Sequence, residues 1–277
     1  MCSPRIVRIA HETTTESARS SRRTWLGAAG LGALAAVAGG GMARAVLVPA
    51  TGVVDLTHTL SPELPVWPGN PAFAMVQVAW HENGGFGQNA VGYWEHTGTH
   101  VDAPVHRVRG AASVERIAAE DLVAPLVVID ISARADMNPD ATLDISDIEK
   151  WEGRHGRIPE RALVAMYSGW ERRLVNPGSF LNLDGQGRPH APGFAGEAAE
   201  FLVTQRNIVA AGVDTLSLDQ AATGEYRAHS AILGAGRYGV EMLANLGRVP
   251  AVGATVVVGA PKHAGGTGGP CRVLALS

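Results

Sequence analysis

Three histidines and an aspartate fall within eleven residues, in His96-Thr97-Gly98-Thr99-His100-Val101-Asp102-Ala103-Pro104-Val105-His106. In an extended chain, side chains two apart face the same way. His96, His100 and Asp102 can therefore converge from one strand while Thr99 and Val101 point away. Gly98 puts no side chain between the histidines, and Pro104 redirects the run before His106, which joins the group as a fourth titratable side chain. Imidazole nitrogens with a carboxylate oxygen suit a divalent cation such as Zn or Mn, without choosing between them. A solvated histidine cluster is the alternative, and so tight a concentration weighs against it. The segment lacks His-Glu-x-x-His, so a helical metalloprotease arrangement is not implied.

A second constellation runs from Tyr226-Arg227-Ala228-His229 to Tyr238-Gly239-Val240-Glu241. One straight helix over 229–241 would hold His229 and Glu241 about 18 Å apart, too far to share an ion. The chain must turn between them, and Gly234-Ala235-Gly236 supplies the break. That predicts a helix from about Arg237 to Leu246 carrying Glu241 in its first turns, with His229 meeting it from a loop.

The two parts of the chain differ in charge. Residues 1–45 hold six basic and two acidic side chains, and residues 46–277 hold 17 basic and 24 acidic ones. Arg22-Arg23 precedes an uncharged, small-residue span over 24–43, and Ala43-Arg44-Ala45 forms an A-x-A-like processing site, so residues 1–45 read as a twin-arginine export signal. A membrane anchor, disfavoured by six glycines in that twenty-residue span, and a disordered cytoplasmic leader are the alternatives. Cleavage after Ala45 leaves 232 residues and removes Cys2, so Cys271 has no internal partner and is expected to be a small buried side chain. The acidic balance of residues 46–277, with no basic stripe interleaved with aromatics, argues against nucleic acid as a partner.

Over 46–277 the pattern is that of a single domain large enough to bury its own core, with no linker and no repeat. Strands are expected at Val53–Leu60, Phe73–Trp80, Leu122–Ile131, Ala162–Ser168, Val213–Asp219 and Ala254–Val258. Helices are expected to begin at Ile145 and within 195–209, which makes an α/β protein. Trp67, Trp80 and Phe86 are candidates for an aromatic substrate pocket.

The motif over 96–106, taken with His229 and Glu241, resembles the metal-dependent cyclase-like hydrolase family that includes bacterial kynurenine formamidases and isatin hydrolases. Gly212-Val213-Asp214-Thr215-Leu216-Ser217-Leu218-Asp219 and Gly265-Gly266-Thr267-Gly268-Gly269-Pro270 extend the resemblance over approximately 53–276. Trp67-Pro68-Gly69-Asn70 resembles the family's early pocket loop, with Asn70 where an acidic residue is common. The resemblance implies a swivelling β/β/α hydrolase fold, often as a homodimer. It implies His96, His100, Asp102, His229 and Glu241 as metal ligands of a one-metal or two-metal centre, and His106 as the proton-transfer residue. Glu241 stands as ligand, acid–base group or both.

Such a centre activates water and polarises a carbonyl. The expected activity is hydrolysis of an amide carbon–nitrogen bond in a small molecule, a cyclic amide or an arylformamide. Lactone or ester hydrolysis and nonenzymatic metal binding are the alternatives.

Overall fold

The computed structural model describes residues 52–277; the expected export signal and Cys2 lie outside them. Thirteen short strands follow one another as β1 (Val53–Asp55), β2 (Ala74–Ala79), β3 (Gln88–Gly92), β4 (His100–Asp102), β5 (Val123–Asp130), β6 (Thr142–Leu143), β7 (Leu163–Tyr167), β8 (Gly193–Phe194), β9 (Ala210–Val213), β10 (Tyr238–Glu241), β11 (Ala254–Gly259), β12 (Gly268–Pro270) and β13 (Arg272–Leu276). The α-helices are α1 (Ser132–Met137), α2 (Ile145–His155), α3 (Pro177–Leu181), α4 (Gly196–Arg206) and α5 (Arg227–Gly234).

Nine strands form one mixed sheet in the order β1-β13-β11-β5-β7-β9-β10-β4-β12. Its centre, β5-β7-β9-β10, is parallel, and both wings are antiparallel. The parallel strands β5, β7 and β9 are apolar on both faces, as strands covered on both sides must be. Leu126, Val128, Leu163 and Val240 enter one core with Val256 and Val273. Val127, Ile129, Val164, Met166 and Val213 face the other core, where Trp151 of α2, Leu202 of α4 and Ile232 of α5 cover them. Helix α2 starts where Asp144 accepts from the Asp147 amide at 3.2 Å and Asp147 returns the contact to the Asp144 amide at 3.0 Å, a reciprocal cap.

Strands β5, β7 and β11 and helices α2 and α4 match the expected segments closely. Three expectations need correction. Residues 237–246 are not helical: Gly236 turns the chain at φ +73°, and the alternating Tyr238-Gly239-Val240-Glu241 then pairs as β10 between β9 and β4. Cross-strand bonding on both sides satisfies that backbone, and Tyr238 and Val240 pack into the core below. His229 lies on α5 rather than on a loop. The strand expected over 213–219 stops at Val213, beyond which Asp214 bends the chain by accepting from the Ser168 and Trp170 amides, each at 3.1 Å.

Candidate metal centre and substrate cavity

The site follows from period-two alternation in two antiparallel neighbours. In β4, Val101 points into the core with Val240 of β10. The same pleat sends His100, Asp102 and Glu241 to the opposite face. Glu241 lies directly across from His100, and Asp102 lies between Gly239 of β10 and Gly268 of β12. A Cβ on Gly239 would stand 3.3 Å from Asp102 Oδ2, and one on Gly268 would stand 2.9 Å from His96 Cε1. Glycine at both positions lets the strands close around the carboxylate.

The run is extended only over 100–102. Gly98 is left-handed, at φ +64°, and a Cβ there would collide with Leu60. Its bareness therefore accommodates Leu60 and Leu64, and a turn, not a straight strand, separates His96 from His100. Pro104 does redirect the chain: His106 follows in a short 3-10 turn, its ring 3.8 Å from that of His96 between centroids and 6.0 Å from that of His229.

The donor set is arranged for a cation. His100 Nδ1 donates to the Gly98 carbonyl at 2.8 Å, which aims Nε2 at Asp102 Oδ1 (3.3 Å) and Glu241 Oε2 (3.4 Å). His229 Nδ1 lies 2.6 Å from Asp219 Oδ2, which likewise aims its Nε2 at Glu241 Oε1 (3.3 Å) and Asp102 Oδ2 (3.5 Å). His100 Nε2 and Asp102 Oδ2 are buried without a hydrogen-bond partner. Buried polar atoms left so are costly unless something positive joins them. One atom each from His100, Asp102 and Glu241 falls within 4.8 Å of the others, and the same holds for His96, Asp102 and His106. These residues fit a divalent cation, with His100, Asp102 and Glu241 as its inner cradle and His96 and His229 beside them.

Electrostatics agree. Burial opposes charge on His100, yet Asp102 and Glu241 override it and raise its pKa to about 9. Burial also opposes charge on His229, and Asp102, Asp219 and Glu241 raise its pKa well above the ordinary imidazole value. A proton thus takes the place of the cation when none is bound. Asp102 is moved the other way: burial would raise its pKa, but His100, His229 and His96 hold it well below the carboxylate range. His106 differs from all of these. Its ring edge is open to the cavity, yet desolvation by the walls, reinforced by His96, His229 and His100 against the pull of Asp102, lowers its pKa to about 4. It is a neutral base at moderate pH.

Supporting residues that sequence reasoning did not single out hold this arrangement. Asp219, buried, accepts from the His229 amide at 3.0 Å and the Ala228 amide at 2.7 Å as well as facing the ring. Ten residues separate it from His229, and the connection appears only when the loop folds back on the first turn of α5. On the other flank, His96 Nδ1 meets Asp102 Oδ1 at 2.7 Å and its Nε2 meets Thr267 Oγ1 at 2.9 Å. The Thr267 hydroxyl in turn donates to Glu95. The Gly-rich segment at 265–269 therefore borders the site.

Above the cluster lies a cavity of about 450 Å³, walled by Trp67, Trp94, Tyr226, Leu216 and Met242, with Asn70, Ser217 and Arg107 as polar additions. Of the three expected aromatic residues, Trp67 lines it. Trp80 and Phe86 do not line the cavity, because they sit at the tip of the separate β2–β3 hairpin, 46% and 60% exposed. Trp94, just past that hairpin, takes an aromatic place instead. Cys271 is buried and its thiol is pushed up to about 12 by burial, as suits a packing residue.

This mixed α/β sheet with a His/carboxylate cluster at the floor of an aromatic cavity defines a metal-dependent hydrolase. The family model "Cyclase: Putative cyclase" matches residues 54–220, and the chain belongs to that cyclase family. An isatin hydrolase of Roseibium aggregatum is 33% identical over 241 residues, covering 81% of this chain and 91% of that protein. A kynurenine formamidase of Salinibacter ruber is 26% identical, covering 80% and 96%. Among solved structures, isatin hydrolase A from Labrenzia aggregata, bound to benzyl benzoate, superposes with a TM-score of 0.77 at 39% identity, covering 81% of this chain and 93% of that one.

Proposed function

We propose that this chain hydrolyses the amide bond of a small aryl substrate, with a cyclic amide of the isatin type as the leading candidate and an arylformamide as the second. The observation that carries the reading is the pair of imidazole Nε2 atoms aimed at the same two carboxylates under an aromatic cavity. Identity to isatin hydrolases of 31–39% ranks the cyclic amide first.

A divalent cation, Mn or Zn, held by His100, Asp102 and Glu241 with His96 and His229, would polarise the carbonyl and lower the pKa of water. The protein's own groups do the rest. Trp67 and Trp94 hold the aryl ring. His106, neutral at moderate pH, takes the proton that water loses as oxygen adds to the carbonyl carbon. It returns that proton to nitrogen as the carbon–nitrogen bond breaks, yielding an amine and a carboxylic acid, which releases water's second proton to solvent as it becomes a carboxylate. Glu241 receives the Leu218 amide at 2.8 Å, which keeps its carboxylate on the site rather than free to shuttle, so its role is that of a ligand.

The homodimer rests on the β2–β3 hairpin, which exposes Met75, Val76, Val78, Trp80, Phe86 and Val91. A second copy covers this arm. Export through residues 1–45 belongs to the same reading, and no helix among the described residues is long and apolar enough to cross a membrane.

The test is product analysis. Chelated protein, then protein reloaded with Mn or Zn, is given isatin, an arylformamide, a lactone and an aryl ester. Ring-opened or deformylated product that disappears on chelation and returns on reloading is expected. Equal turnover by the chelated protein, or turnover of the esters alone, overturns the amide reading.

A further inference from the structure

Arg107 is a cation at the cavity wall that the chemistry above does not use. It follows His106 directly and is the cavity's single lysine or arginine among the described residues. It forms no ion pair with any described carboxylate. Instead its Nε donates to Ser230 Oγ at 3.0 Å, and that hydroxyl donates onward to the Tyr226 carbonyl at 2.8 Å. The Ser230 hydroxyl is thereby fixed in direction, and the guanidinium is held by one edge. Both terminal amino groups remain for a ligand.

Tyr226 completes the device. Its backbone is left-handed, φ 50° and ψ 47°, a conformation that a bulky residue adopts only when the surroundings impose it and one that clusters at functional sites. The consequence is local. The ring stands edge-on to His229 at 6.2 Å and lies under the Arg107 guanidinium at 5.9 Å, so the residue joins the catalytic cluster to the cation.

We propose that Arg107, seated on Tyr226 and Ser230, is an anchor for a carboxylate carried by the substrate about one aromatic ring away from the scissile amide. A planar two-donor fork matches a carboxylate, and the one carboxylate lining the cavity, Glu241, is engaged with His100 and His229. The preferred substrates are then acidic aryl amides, whichever amide geometry is cleaved. The inference deepens the amide-hydrolase reading and rests on it.

The test uses the metal-loaded full chain and two matched pairs: formanilide against its para-carboxylate, and isatin against a ring-carboxylated isatin. The carboxylated member of at least one pair is expected to show a kcat/KM roughly 10- to 100-fold higher, the range of a charge-assisted contact. In Arg107→Met that ratio falls towards one, in Arg107→Lys it is intermediate, and in Ser230→Ala the KM for the carboxylated member rises while kcat is kept. A wild-type ratio of one for both pairs, or a ratio that Arg107→Met leaves unchanged, overturns the anchor. If neither pair is turned over, the amide reading fails by itself. Calorimetry with para-aminobenzoate against aniline then decides the anchor: tighter binding of the acid, lost in Arg107→Met, supports it, and equal binding overturns it.

Discussion

Asp219 touches no substrate, yet its replacement should disable the site. It accepts three hydrogen bonds while almost fully buried: from the His229 ring (2.6 Å), the His229 amide (3.0 Å) and the Ala228 amide (2.7 Å). Asp219→Ala strands all three donors. Bonds to a buried charge are worth about 1.5–3 kcal/mol each, and breaking such a network by removing one partner costs about 3–5 kcal/mol in total. Asp219→Asn keeps the shape but loses the charge that orients the ring. Partners of this kind are worth 10–100-fold in metal affinity, or about 1.4–2.8 kcal/mol. Chelated protein titrated calorimetrically with Mn or Zn should therefore bind roughly 10–100-fold more weakly as Asp219→Asn, with kcat falling alongside. Thermal unfolding of the metal-free form separates this from loss of fold. If Asp219→Asn is folded, binds metal as the wild type does and turns over normally, the positioning argument is wrong.

Gly193→Ala should reproduce the Asp219 defect, since a Cβ at 193 would collide with the backbone of Asp219 and Gln220; the same titration measures it. His106→Gln should retain wild-type metal affinity and lose about 10²–10⁴ in kcat, the usual share of a general base, as shown by pairing calorimetry with steady-state rates. In the metal-free protein the His100 pKa is raised above that of the unfolded chain. The stability it adds is complete below about pH 6.5 and lost as pH rises through about 9. Unfolding temperatures of chelated protein should therefore decline across that window, and metal-loaded protein, in which His100 is already neutral, should not share the decline. Equal slopes for the two forms would discard the assignment.

The ligand-type residues were legible because their spacing is short or their chemistry distinctive: His100 and Asp102 share a face by alternation alone, and the family likeness pointed to His229 and Glu241. The element carrying Glu241 was misread. Tyr238-Gly239-Val240-Glu241 is short enough to read either way, and only the presence of β4 and β9 on its two sides decides for a strand. Asp219 and Thr267 stood inside motifs that extend the resemblance, but their supporting roles were not legible for a related reason. Their partners are 10 and 171 residues away, and a single carboxylate or hydroxyl has no periodicity to betray it. Trp80 and Phe86 show the opposite failure, in which residue type suggested a pocket while the hairpin carried both side chains out to the surface.

The pairing of β4 with β10 has a consequence for how the protein matures. About 140 residues separate His100 from Glu241, so the inner cradle does not exist until two strands far apart in the chain have met. A slip of one residue would put Val240 where Glu241 belongs and turn the carboxylate into the apolar core. Ion capture thus proofreads strand alignment: only the correctly registered chain gains the binding free energy, and the stabilisation grows with free ion concentration as mass action dictates. Cells starved of the ion should accumulate less of this protein, not merely a less active form of it.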